Sequence, residues 1–236
     1  MRPIVNSINS IMKLKLIIPV AILFFATTAS AQISLGGQAG AVFSNPSTKI
    51  NTGIPGLTYD IKTRTNFSAG LIADIPLGES GFRFIPELLY VGKGFKANAS
   101  VDLLGQELKV ESTTSISYLD LPINFAYAIE LGENRLMVGA GPYVGFGLGG
   151  KNKVITTANG VSQTEEDNIE FGNGSGQFDR LDIGANFMAA YVLNNGLMLK
   201  VNYSLGFLNL SNDADTKYKN QYFGLSLGYF FMQGGK

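Results

Sequence analysis

The chain has 236 residues with 29 Gly, no Cys, no His and no Trp, and only 15% of it is charged, where a soluble surface calls for roughly a quarter. Without His or Cys there can be no Ser-His triad, His general base, HExxH zinc site, thiolate nucleophile, zinc-thiolate centre, disulfide or cysteine-borne lipid anchor. Mean hydropathy is positive at +0.15, yet past residue 31 no apolar run approaches the ~20 residues of a membrane helix. Membrane residence would therefore have to be through strands.

Lys13 and Lys15 precede the apolar run LIIPVAILFFA, and Ala29-Ser30-Ala31 follows it. This is the order of a basic region, an apolar core and a small-residue cleavage site, so residues 1–31 read as a signal peptide cut after Ala31. Residues 1–11 add nothing to such a signal, which points to Met12 as its start. Removing 1–31 takes away Arg2, Lys13 and Lys15 and no acid, leaving a single domain, 32–236, with 15 basic against 18 acidic residues. That mild acidity argues against a nucleic-acid partner.

From residue 33 the sequence divides into eight segments of alternating character, separated by gaps that are long and short in turn. The first, 33–43, turns Leu35, Ala39, Ala41 and Phe43 to one face. After a polar gap, 44–63, with turn signals at Asn45-Pro46 and Pro55-Gly56, the second segment, 64–77, turns Phe67, Leu71 and Ile75 outward and Asn66, Ser68 and Asp74 inward. The third, 80–95, has Phe82, Phe84, Leu88 and Tyr90 outward and Arg83, Glu87 and Lys93 inward. After a gap at 96–114, the fourth places Leu119, Leu121, Ile123, Phe125 and Tyr127 outward and Tyr118, Asp120 and Asn124 inward, and the fifth places Leu136, Val138, Val144, Phe146 and Leu148 outward. The longest gap, 149–177, precedes a sixth segment with Leu181, Ile183, Phe187 and Tyr191 outward and Asp182, Asn186 and Met188 inward. The seventh has Leu197, Leu199, Val201, Tyr203 and Phe207 outward and Lys200, Asn202 and Ser204 inward. A gap at 211–220 leads to the closing run, 222–231, in which Phe223, Leu225, Leu227, Tyr229 and Phe231 alternate with mostly small residues.

Opposed residues in a hairpin share a face, so register predicts the short turns. Pairing Ile75 with Phe82 leaves Gly78-Glu79 as a two-residue loop, and pairing Ile129 with Leu136 leaves Gly132-Glu133. Between the sixth and seventh segments only a three-residue loop, Asn194-Asn195-Gly196, pairs Leu193 with Leu197 and keeps the faces matched. Long and short connections alternating around eight strands predict an all-β fold: an eight-stranded antiparallel up-and-down transmembrane β-barrel, with long loops outside and tight turns in the periplasm. A soluble barrel would turn its apolar face inward, and here the other face is too small or too charged to fill a core.

The inward set balances Arg83, Lys93, Arg135 and Lys200 against Asp74, Glu87, Asp120 and Asp182. An eight-stranded barrel is just wide enough for side chains, so these eight are the candidate site: a lumen network of ion pairs that plugs the barrel, with a narrow ion path as the sharper reading. The glycines of 139–150 lie in a strand pattern and open no helix, so they are small lumen residues rather than a phosphate loop. Glu165, Glu166, Asp167 and Glu170, and the pair Asp213 and Asp215, lack the Gly and terminal Glu spacing of a calcium loop. They are expected to lie in solvated loops, and no cofactor or metal is expected. Tyr90, Tyr127, Tyr191 and Tyr229 suit an interfacial aromatic girdle, whereas Tyr143 points inward.

The segments PELLYVGKG at 86–94, YLDLPINFAY at 118–127, GAGPYVGFGL at 139–148 and FDRLDIGANFMAAY at 178–191, together with the closing run, resemble the Bacteroidetes outer-membrane β-barrel family called PorT-like. The resemblance spans the mature chain and implies an outer-membrane barrel; one member of that family is implicated in protein secretion. It also implies barrel assembly machinery as a partner that reads the last strand. The tail at 232–236 departs from barrels that stop at the last aromatic. The expected role is structural or interactive, carried by the long loops and not enzymatic, with outer-membrane lipids and a protein at the surface loops as partners.

Overall fold

The computed structural model of the chain describes residues 33–50, 58–103, 106–213 and 216–234. The expected signal peptide, its cleavage after Ala31 and the start at Met12 lie outside the described residues. Among the described residues there are twelve strands and no helix: β1 (Ser34–Ser44), β2 (Ser47–Ile50), β3 (Thr58–Lys62), β4 (Arg64–Pro76), β5 (Phe82–Leu103), β6 (Gln106–Leu131), β7 (Asn134–Ala158), β8 (Val161–Asn168), β9 (Leu181–Val192), β10 (Leu197–Gly206), β11 (Thr216–Lys219) and β12 (Gln221–Met232).

Eight of these form a ring of antiparallel neighbours, β1-β4-β5-β6-β7-β9-β10-β12, closed where β12 pairs with β1 through Ala39↔Leu227 and Phe43↔Phe223. Closure leaves no open edge within the ring, which backbone groups require in a hydrocarbon medium. The alternation fixes the faces. Phe67, Phe125, Phe187, Leu199, Leu227 and Phe231 are exposed on the outside, while Asp74, Glu87, Lys93, Asp120, Asp182 and Lys200 are buried inside. Cross-strand aromatic pairs stud the wall: Phe82 with Tyr127 at 5.3 Å, Phe84 with Phe125 at 5.4 Å and Phe67 with Tyr90 at 5.2 Å between ring centroids. Tyr127, Tyr191 and Tyr229 are exposed on this outer surface and Tyr143 is buried, at 1%.

Two of the three tight turns follow the expected register. Ile129 pairs with Leu136, leaving Gly132-Glu133 as the loop with Gly132 at φ 67°. Leu193 and Leu197 are joined by backbone hydrogen bonding at 2.8 Å, and Gly196 takes φ 89°. The first turn differs. Ile75 pairs with Phe84 rather than Phe82, and the Leu77 N–H donates to the Phe82 carbonyl, so the loop spans 78–81 instead of Gly78-Glu79. Gly78 and Gly81 both adopt positive φ, at 78° and 81°, and it is this second glycine that lets the wider loop close.

The long gaps hold more structure than solvated loops would. β5 and β6 continue as one hairpin through residues 96–114, β3 adds to the outer part of β5, and β7 runs on through Ala158 to pair with β8. The result is a five-stranded sheet, β3-β5-β6-β7-β8, continuous with the barrel wall at the end opposite the tight turns, which is the extracellular end by the rule that tight turns face the periplasm. β2 and β11 pair with each other across the first and last gaps. The tail also folds back: the Gly234 N–H donates to Ser34 Oγ at 3.2 Å at the start of β1.

Inward glycines let strands and side chains come close. At Gly70 a Cβ would sit 2.8 Å from Leu89 Cα and closer still to the Leu88 carbonyl oxygen, both backbone atoms that cannot give way.

Candidate functional site

The eight charged residues singled out from the sequence all lie inside the barrel, ion-paired in three layers, of which the second and third meet at Tyr222, opposite Ser204 and 3.5 Å from Asp120. At the periplasmic mouth Asp74 takes a short hydrogen bond from Arg83 and a second, at 2.7 Å, from Arg135. Both arginines line a cavity of about 460 Å³ that opens past Gly132, Asn194 and Gly234.

In the second layer Glu87 is held by a short ion pair with Lys200, by Gln38 Nε2 and by Asn124 Nδ2 at 3.2 Å. Asn186 donates to Asn124 at 2.9 Å, and Ser204 and Asn202 donate to Asn186 at 2.7 and 3.2 Å. A chain of amides thus crosses the lumen from β6 through β9 to β10.

The third layer centres on Lys93, fully buried on β5. Its Nζ is 2.8 Å from Asp120 and 3.0 Å from Asp182 and lies over the rings of Tyr118, Tyr143 and Tyr222 at 4.4, 4.9 and 5.4 Å. Tyr143 Oη and Asn220 Nδ2 donate to Asp182 at 3.1 and 2.8 Å. The ammonium sits in an aromatic cage with two carboxylates, an arrangement in which ring quadrupoles add to the ionic contacts.

Ion pairs do not fill the lumen alone, contrary to the expectation that its small and charged face could form no apolar core. Between the first two charged layers lies a cluster of Ile72, Ile85, Met137, Met188, Met198 and Phe230 with smaller neighbours. A second, of Val42, Leu89, Val91 and Tyr222, lies toward the Lys93 layer. A third, of Phe95, Ile116, Tyr118, Leu210 and Tyr218, caps the extracellular end, with Phe171 and Phe178 packed against it from the loop after β8. The contributions of Gln38, Tyr222, Tyr218 and Asn220 escape a search for charges. Inward parity marks Gln38 and Tyr222, but nothing local marks Tyr218 and Asn220, which reach the site from the last long gap.

The extracellular sheet has two outer strands, β3 and β8, each paired on one side only among the described residues. β8 is exposed throughout and acidic. Lys151 on β7 donates to Glu166 on β8 at 2.6 Å; this hydrogen bond holds the Glu166 carboxyl below its ordinary range and raises the Lys151 ammonium above its own. At the opposite rim Asp213 accepts from Ser175 Oγ at 2.7 Å and from the Gly176 N–H at 2.8 Å, which depresses its carboxyl. Among the described residues no group of three or more acidic side chains is placed to hold a metal ion.

A closed antiparallel ring with an apolar outer wall, a packed interior and aromatic pairs on its surface defines an outer-membrane β-barrel. The chain belongs to the family described as outer membrane protein beta-barrel domain, which it matches over residues 25–212. A search of curated protein sequences finds no match. Among solved structures it is similar to Neisserial surface protein A, at 12% identity and TM-score 0.36, covering 84% of this chain and 99% of that one. It is also similar to the outer membrane protein OprG from Pseudomonas aeruginosa, at 12% identity and TM-score 0.41, covering 84% and 96% of the two chains. The translocator domain of the autotransporter NalP from Neisseria meningitidis is matched at 11% identity and TM-score 0.22, over 96% and 97%.

Proposed function

We propose that this outer-membrane barrel is a surface-display protein whose working part is the extracellular sheet β3-β5-β6-β7-β8, which binds a protein partner, while the barrel anchors and orients it. One observation carries the reading: the lumen is packed from the Asp74 layer to the Phe95 cap, while β5 continues from Tyr90 at the outer edge of the wall to Leu103. That is roughly 40 Å of strand at about 3.4 Å per residue. Conduction has little room in such an interior, and the buried carboxylates and lysines are engaged with one another rather than facing a substrate, which favours a non-catalytic role.

The finer assignment to the PorT-like barrels rests on the segments at 86–94, 118–127, 139–148 and 178–191, and it brings a part in a surface secretion apparatus within the same reading, as one kind of protein partner. Outer-membrane lipids around the wall, and assembly machinery reading the aromatic end of β12, complete the proposed set of partners.

The test replaces residues 97–112 of the β5–β6 hairpin by a short turn in a full-length barrel that still shifts on unheated gels as a folded one. Crosslinking at the cell surface should capture a partner with the intact chain and lose it with the shortened one. Discrete conductance steps from the intact barrel in a planar bilayer would replace this reading with a narrow ion path.

A further inference from the structure

A cleft of about 540 Å³ opens on the outer face of the extracellular sheet, lined by Arg64, Ser115, Gly149, Lys151, Lys153 and Glu166 among others. Its face follows from register. Leu119 and Leu121 are exposed on the wall, and Ser117 and Ser115 continue that side of β6; Lys151 and Lys153 pair with Ser115 and Thr113 and so share it. The extra residue of β7 at the Ser117/Tyr118 register shift brings the odd-numbered side chains outward beyond Leu148. Gly149 has open space where a Cβ would stand. Arg64 comes from the far side of β5 and crosses it where Gly94 pairs with Ser115, and its Nη1 donates to the Thr114 carbonyl at 3.4 Å.

Height fixes what the cleft can meet. Leu148 and Phe146 are half-exposed on the lipid-facing wall, and Lys151 lies three residues on, roughly 10 Å along the strand. That is the level of lipid headgroups. Charge fixes the sign. Three cations face one carboxylate, Glu166, and Lys151 already holds it at 2.6 Å. Arg64 makes no ion pair among the described residues, and Lys153, opposite Glu166 in the register, adds only a weaker pull on that carboxyl than Lys151 does.

We propose that this cleft binds the phosphate of an outer-leaflet phosphoglycolipid, with Arg64, Lys151 and Lys153 on the phosphate, the hydroxyls of Thr113 and Ser115 on the sugar, and the acyl chains against Leu119, Phe146 and Leu148. Cations and hydroxyls set directly above an apolar wall suit a ligand that joins a phosphate to acyl chains, and a soluble anion would make no use of the wall.

The full-length barrel, refolded in detergent, is titrated with phosphorylated and with dephosphorylated lipid A and read by native mass spectrometry. The phosphorylated form should bind roughly tenfold more tightly, and R64Q/K151Q/K153Q should reduce it to the level of the dephosphorylated form. K217Q/K219Q, on β11, removes two charges outside the cleft and should leave binding unchanged. E166Q frees Lys151 and should tighten binding severalfold, which keeps the proposal testable if the triple variant does not fold. Equal binding of the two lipid forms, a folded triple variant with full affinity, or no gain from E166Q would overturn the proposal. Displacement by inorganic phosphate at the same concentration would overturn the lipid assignment in favour of a free-phosphate site.

Discussion

Replacing Lys93 by Met should be the most damaging single removal of a lumen charge. The ammonium is fully buried between two carboxylates that are themselves fully buried, at 2.8 and 3.0 Å. At an effective dielectric of about 20 each contact is worth about 6 kcal/mol before desolvation, and breaking a buried pair by removing one partner costs about 3–5 kcal/mol net. Without Lys93, Asp120 keeps only a long contact from Tyr222 at 3.5 Å, while Asp182 keeps Tyr143 and Asn220. The loss should reach the upper end, about 5 kcal/mol. Lys200→Met leaves Glu87 with two amide donors, Gln38 and Asn124, and should cost about 3 kcal/mol. The chain has no Trp, so urea unfolding in lipid vesicles is followed by far-ultraviolet circular dichroism and by band shift on unheated gels. Adding Asp120→Asn and Asp182→Asn to Lys93→Met should recover at least half of the loss. A smaller loss from Lys93→Met than from Lys200→Met, or no recovery in the triple variant, would refute the account of an ammonium compensating two buried carboxylates.

Gly70→Ala should cost about 1–3 kcal/mol, because the added methyl meets the backbone of β5; an unchanged urea midpoint would show that β4 and β5 can separate cheaply. Met137→Ala and Met198→Ala, both fully buried in the apolar layer, should cost about 2–5 kcal/mol each and leave bilayers silent, since charged layers still close both ends; conductance from either would mean that the apolar layer alone blocks the lumen. Substituting Lys200 should destabilise the barrel without loss of partner capture by the extracellular sheet, and capture lost from an intact barrel would contradict that division of labour. Because Asp213 is depressed by Ser175 and Gly176, its bonds contribute fully above the ordinary aspartate value and are lost as pH falls through the lowered one. The amide signal of Gly176 should therefore titrate below about pH 3.9 and become flat in Asp213→Asn; a midpoint at or above the ordinary value would refute the assignment.

The ring and its two faces were legible because alternation carries them: a wall needs large apolar residues at every second position, and Phe223, Leu225 and Leu227 supply them. Alternation is blind to a slip of two, which preserves every face. That is why Gly78-Glu79 and Gly132-Glu133 read as the same two-residue turn, although Gly81 permits a wider loop at the first and Arg135 occupies the corresponding position in the second. The extracellular strands were not legible. The run Glu111–Ser115 has no apolar face, and in Lys96–Ser100 the alternate positions hold only the small Ala97 and Ala99, so the strand character of both comes mainly from partners across the sheet. For the lumen, parity says which residues point in but not at what height. The tilt of the strands decides that Lys93 meets Asp120 and Asp182 while Glu87 meets Lys200.

The three layers are electrically unequal. Carrying their formal charges, the mouth layer holds two arginines against one aspartate, the middle layer is neutral, and the Lys93 layer holds one lysine against two aspartates. From Arg83 to Lys93 is about 34 Å of strand, or about 24 Å along the axis at a tilt near 45°. Glu130 and Glu133 line the mouth cavity beside Arg83 and Arg135 and answer the surplus cation there, while the extra carboxylate of the Lys93 layer is fully buried. The barrel thus settles its unpaired charge differently at its two ends: by neighbouring carboxylates around an open mouth, and by the Tyr143 hydroxyl and the Asn220 amide donating to Asp182 in the interior.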